Sequence, residues 1–86
     1  MENAKKEMMK LQNKMVLESL ATIEDMIEGN KHFVIENRSM VGGRDANRWL
    51  WDDYDYAFVA LGRALSDIRY AKEQLKYAEG RLERGE

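Results

Sequence analysis

Residues 50–82 read LWDDYDYAFVALGRALSDIRYAKEQLKYAEGRL, and two rows run through them without a slip. Tyr54, Leu61, Ile68, Leu75 and Leu82 recur every seven residues, and Leu50, Ala57, Ala64, Ala71 and Ala78 keep the same period beside them. Spacings of three and four that alternate hold a stripe on one side of an α-helix, which is the signature of a helix that packs on another helix. Alanine on every other layer lets that second helix come close. A third row, Trp51, Phe58 and Leu65, widens the apolar face in the first half, and its continuation, Lys72 and Glu79, is charged. A wide face suits a bundle core and a narrow one suits a single close partner.

Working outward, the spacing predicts a second helix from about residue 45 to 83, with Asp45 as its N-cap. Asp52-Asp53 is a weak helix-forming pair, but the heptad crosses it without a phase change, so the helix is expected to be continuous. Gly42-Gly43 marks the end of a connector over residues 29–44. Within it, His32-Phe33-Val34-Ile35-Glu36 is an apolar run too short to assign by period; it is read either as a helical turn capped by Asn30 or as an extended piece. A first helix is expected over about 4–28, capped by Asn3 and stopped by Gly29-Asn30. Its stripe is Val16, Leu20, Ile23 and Ile27, continued toward the N-terminus by Met8, Leu11 and Met15. The expected fold is all-α: one domain over 1–86, an antiparallel helical hairpin assembling into a helical bundle. Helices of roughly 37 Å and 48 Å at 1.5 Å per residue leave one end of the longer seam uncovered. A second copy is expected to cover that overhang, giving a homo-oligomer built on Leu61, Ala64, Ile68, Ala71, Leu75, Ala78 and Leu82.

Composition narrows the function classes. The chain has no cysteine, which removes disulfides and thiolate metal sites, and no proline. It has no run of 18 apolar residues and no secretory apolar segment, so neither a membrane span nor export is expected and the reading is cytoplasmic. The net charge of -2 comes without a basic stripe, so nucleic-acid binding is not expected. Nothing calls for a cofactor. His32, the single histidine, has no partners spaced for a triad or a metal site.

Charge is nevertheless segregated. Lys5, Lys6 and Lys10 crowd the start of the first helix, and Glu24, Asp25 and Glu28 its expected end. Folding back sets those acids beside Asp52, Asp53 and Asp55, an acidic pole able to dock on a basic protein partner. The plainer reading is a solvated polar end, partly neutralised by Lys31, Arg38, Arg44 and Arg48. A second candidate is the stretch Arg38-Ser39-Met40-Val41-Gly42-Gly43-Arg44-Asp45. A glycine-rich turn opening a helix exposes backbone N–H groups, two arginines could clamp an anion there, and Trp49 and Trp51 could stack on a base. The plainer reading is a connector with Met40 and Val41 packed over Trp49.

Two family resemblances follow from these residues. Asp25-x-x-Glu28 and Asp52-x-x-Asp55 resemble the paired acidic motifs of the all-α nucleotide pyrophosphatases, which implies Mg²⁺ held between helices, although Asp stands where that family has Glu in the second motif. Gly42-Gly43-Arg44-Asp45 resembles the Gly-Gly-Arg-Glu that opens a helix in small phage proteins sequestering cyclic-nucleotide immune signals, and Arg69-Tyr70-Ala71-Lys72 is similar to a segment later in that helix. That resemblance implies an oligomeric helical hairpin with Arg44 and Arg69 near an anionic ligand; the Thr-Lys-Leu-Glu-Glu-Ala core of the pattern has no counterpart here. The function expected is non-catalytic binding by a small phage-type accessory or inhibitor protein, docking through Glu24, Asp25, Glu28, Asp52, Asp53 and Asp55. The alternatives are an oligomeric sponge holding a cyclic nucleotide or other anion with Arg38, Arg44, Arg48, Trp49 and Arg69, and a Mg²⁺-dependent nucleotide pyrophosphatase.

Overall fold

Two helices of nearly equal length, α1 (Asn3–Met40) and α2 (Arg48–Arg84), lie antiparallel in a computed structural model that describes residues 2–85. The heptad of α2 is continuous through Asp52-Asp53, as its phase requires. The hairpin is a rod of 62 × 17 × 13 Å. Its radius of gyration is 19.1 Å, against about 12 Å for a compact domain of this length.

The first helix is longer than its sequence suggests, because Gly29-Asn30 does not stop it. Positive φ angles occur only at Gly42, Gly43 and Gly85 among the described residues. Gly29 therefore sits as an ordinary helical residue, at a cost of about 1 kcal/mol relative to alanine. Packing on both sides of it offsets that cost, as is usual for helices held by tertiary contact. Ile27, Lys31 and Val34 are all half-buried against α2. The His32–Glu36 run is simply a further stretch of α1. The connector shrinks to residues 41–47, and both expected caps move. Glu2, not Asn3, precedes α1 and makes no side-chain capping bond. Asn47, not Asp45, caps α2, its Oδ1 accepting from the Leu50 amide at 3.2 Å. Gly42 and Gly43, at φ +87° and +105°, turn the chain in a region that side-chain-bearing residues avoid.

The α1 side of the seam is a strict heptad that polar residues disguise. Its half-buried positions are Lys10, Leu17, Glu24, Lys31 and Arg38 in one row and Lys6, Asn13, Leu20, Ile27, Val34 and Val41 in the other, with Ile35 beside them. They meet the Trp51-Phe58-Leu65-Lys72-Glu79 row and the Tyr54-Leu61-Ile68-Leu75-Leu82 row of α2. Of the stripe expected in the seam, Leu20 and Ile27 enter it, Val16 and Ile23 lie exposed at its edge, and Met8, Leu11 and Met15 are more exposed still, because the seam turns to Lys10 and Asn13 there. Leu65 (2% exposed) and Leu82 (6%) are the only buried residues among those described. The anticipated overhang of α2 is absent: Lys10 pairs with Glu83 at 2.8 Å, so α1 runs roughly 9 Å past the end of α2 at 1.5 Å per residue and itself covers Leu75 and Leu82. The alanine row, in contrast, is displaced to the edge. Ala57 is exposed and Ala64, Ala71 and Ala78 are half-buried.

Candidate functional site

The heptad gives the rod two flanks. One is charged. Arg69 donates from Nε to Glu24 at 2.9 Å and from Nη2 to Glu28 at 2.8 Å, and Lys72 Nζ donates to Glu24 at 2.7 Å. These bonds, from Lys72 first and Arg69 second, hold the Glu24 carboxyl below its ordinary range, and the Glu24 bond raises Arg69. Toward the connector, Arg38 bonds Asp55 and lies over two rings, Trp51 at 4.9 Å and Phe58 at 5.6 Å. Lys31 caps Phe58 at 5.1 Å. Cation–π contacts of this kind contribute about 0.5–1 kcal/mol each at exposed sites. They explain how an α1 row carrying Lys31 and Arg38 can face an α2 row carrying Trp51 and Phe58.

This arrangement dissolves the expected acidic pole. Because α1 continues to Met40, Glu24, Asp25 and Glu28 fall in mid-rod, level with Arg69, and do not meet Asp52, Asp53 and Asp55. The two acidic groups lie roughly 20 Å apart along the axis, centre to centre, at 1.5 Å per residue. Glu24 and Glu28 are bonded to Arg69, and Asp55 to Arg38. Asp52 and Asp55 are both half-buried at the edge of the seam. Asp52 takes Arg44 on both oxygens, at 2.9 Å and 3.3 Å, with Arg48 4.0 Å away. The Arg44 bond lowers Asp52, and Asp52 in turn raises Arg44. Asp25 and Asp53 stay exposed. Among the described residues, no group of three or more His, Asp or Glu is placed to hold a metal ion. The two motifs that resemble the pyrophosphatase pattern are not brought together.

The proposed anion clamp is not assembled either. Arg38 and Arg44 each face a carboxylate, and Arg69 faces two. Arg69 stands roughly 30 Å along α2 from the connector. Gly42-Gly43 does not open the helix, which begins five residues later and whose first turn is capped by Asn47. Trp49 is 80% exposed and Met40 75%, so Met40 does not pack over Trp49. What the connector end does carry is an open groove lined by Asn37, Met40, Val41, Leu50 and Tyr54.

That groove identifies the second flank, since it joins α1 and α2 on the side away from Glu24, Arg69 and Lys72. Along α1 this flank presents Met9, Val16 and Ile23 in one row and Met26, Phe33 and Met40 in the next, all exposed. Along α2 it presents Leu50 and the alanines at 57, 64, 71 and 78. From the ion-pair register, Val16 is level with Ala78 and Ile23 with Ala71. Sequence reasoning missed the Met26-Phe33-Met40 row, although its spacing of seven was visible, because it crosses the presumed stop at Gly29-Asn30. No helix among the described residues is long and apolar enough to cross a membrane. The chain matches no known family, no characterised protein and no solved structure.

Proposed function

We propose that this chain is a non-catalytic helical interaction protein, which acts by laying the apolar flank of a stiff rod against another helical surface. The observation that carries this reading is the asymmetry of the flanks: on one, arginines and carboxylates satisfy each other, and on the other, methionine, phenylalanine and aliphatic side chains stand exposed in rows. Monomeric proteins seldom leave large apolar patches open. Methionine-rich helical surfaces are adaptable in packing. Catalysis has little to work with, since the carboxylates are dispersed along the rod or neutralised in pairs.

The test is a panel of nucleoside triphosphates with Mg²⁺ and of cyclic nucleotides. The expected results are no pyrophosphate release above background and no shift in melting temperature. Mg²⁺-dependent turnover lost in Asp25→Asn, or a thermal shift lost in Arg44→Ala, would replace this reading with the enzyme or the ligand sponge.

A further inference from the structure

We infer that the partner on the apolar flank is a second copy of this chain, stacked so that α1 of each copy lies over α2 of the other in a four-helix bundle with both connectors at the same end. The inference rests on the interaction reading above and names its partner. Two arguments carry it.

The first is area. The chain exposes 6486 Å². A compact monomer of 10.1 kDa exposes about 5,300 Å² by the scaling of surface with mass. The excess is roughly 1,200 Å² per chain, and obligate dimers bury upward of about 2,000 Å² in total. A second copy on one flank therefore removes about the surface that the hairpin has in surplus. A chain this short, with two buried residues among those described and no cysteine for a disulfide, is of the size class that self-association commonly stabilises.

The second is shape. The flank is bulky along α1 and shallow along α2, and the two halves are complementary to each other. A two-fold axis parallel to the rod sets Val16 of one copy level with Ala78 of the other and Ile23 level with Ala71. Val16 and Ile23 then meet alanines, and the same α1 row continues as Asn30 and Asn37 at the levels of Ala64 and Ala57, in a self-complementary isologous contact. The other two-fold arrangement sets α1 on α1, bulk on bulk, and the alanine rows on each other, which leaves the layers uneven. The charged flanks face outward in the stacked arrangement, and a net charge of -2 per chain adds little repulsion.

Sedimentation of the full chain and cysteine cross-linking test this. The chain has no cysteine of its own, so single substitutions report unambiguously. A dimer is expected at tens of micromolar, and Ala64→Glu/Ala71→Glu is expected to weaken it at least 100-fold, with or without loss of helix. Mixing Ile23→Cys chains with Ala71→Cys chains under mild oxidation is expected to link unlike chains faster than like ones. A monomeric wild-type chain, a dimer that survives the double glutamate substitution, or faster linking of Ala71→Cys to itself would each overturn the proposal. None of these outcomes bears on nucleotide turnover or ligand binding, so failure here is distinguishable from failure of the interaction reading.

Discussion

Lys10 Nζ lies 2.8 Å from Glu83 Oε1, which ties the early turns of α1 to the last turn of α2 and sets the register of the two helices. The same bond holds Glu83 below its ordinary range and raises Lys10. Glu24 and Asp52 are lowered as well. A carboxylate lowered on folding stabilises fully above its unfolded value and loses that contribution as pH falls through the folded one. The hairpin is therefore expected to weaken progressively on acidification below about pH 5. Lys10 acts in the opposite sense: its contribution is complete below its ordinary 10.5 and is lost as pH rises through the folded value. Thermal melts across pH check both limbs, and Glu24→Gln should flatten the acid one.

Gly29→Ala should stabilise the protein by about 1 kcal/mol. Nothing lies within 4 Å of the Cβ it would add, and its φ is not positive. The substitution separates two structures. In a helix ending at Gly29, a left-handed cap would make alanine destabilising. Urea denaturation gives the sign.

Gly43→Ala should destabilise by about 1–2 kcal/mol, because φ is +105° there and a Cβ is strained in that region. The site is open, with no atom within 4 Å, so the cost is conformational and not steric. Gly43→Asn is expected to lose less, as asparagine tolerates the left-handed region better. Denaturation midpoints of the pair test the ordering.

Asn47→Ala removes the side chain that accepts from the Leu50 amide and should cost about 1 kcal/mol. Asp45→Ala, at the position first expected to cap α2, should cost less. Amide exchange over residues 48–51 is expected to speed up in the first variant and not in the second.

Leu65→Ala should be the most damaging single truncation in the seam, at about 2–5 kcal/mol, since Leu65 is the most buried side chain. Leu50→Ala, on the exposed flank, should cost much less in the isolated hairpin. A large loss there, measured at high protein concentration, would report on assembly.

The all-α hairpin and the unbroken second helix were legible in the heptad of residues 50–82, since leucine and alanine at fixed spacing leave a helix few alternatives. The first helix was harder to read. Its seam is written half in polar residues, and Lys31 and Arg38 look like surface positions until the rings of Phe58 and Trp51 are placed beneath them. Gly29-Asn30 is locally a stop signal, and only contacts made by Lys31, Val34 and Arg38 with a segment tens of residues away override it. That one boundary moved everything dependent on it. The acids at 24–28 shifted to mid-rod, the overhang vanished, and the row Leu61, Ile68, Leu75, Leu82, assigned to self-association, became the hairpin's own seam. Ala64, Ala71 and Ala78 alone were left on the flank.

The charged rungs also key the two helices to a single alignment. Slipping α1 by one heptad in one direction would bring Lys10 against Lys76 and Arg38 against Arg48, and would leave Glu24 beside Leu65. Slipping it the other way would set Glu24 near Glu79, place Lys31 on Leu65, and carry Lys10 past the end of its partner. A zipper of leucines alone is nearly indifferent to such steps, whereas polar residues at seam positions select one of them at some cost in stability. The same teeth would mesh only one way if α2 came from a neighbouring chain, so strand exchange between molecules would reproduce the native alignment and not a ladder of shifted ones.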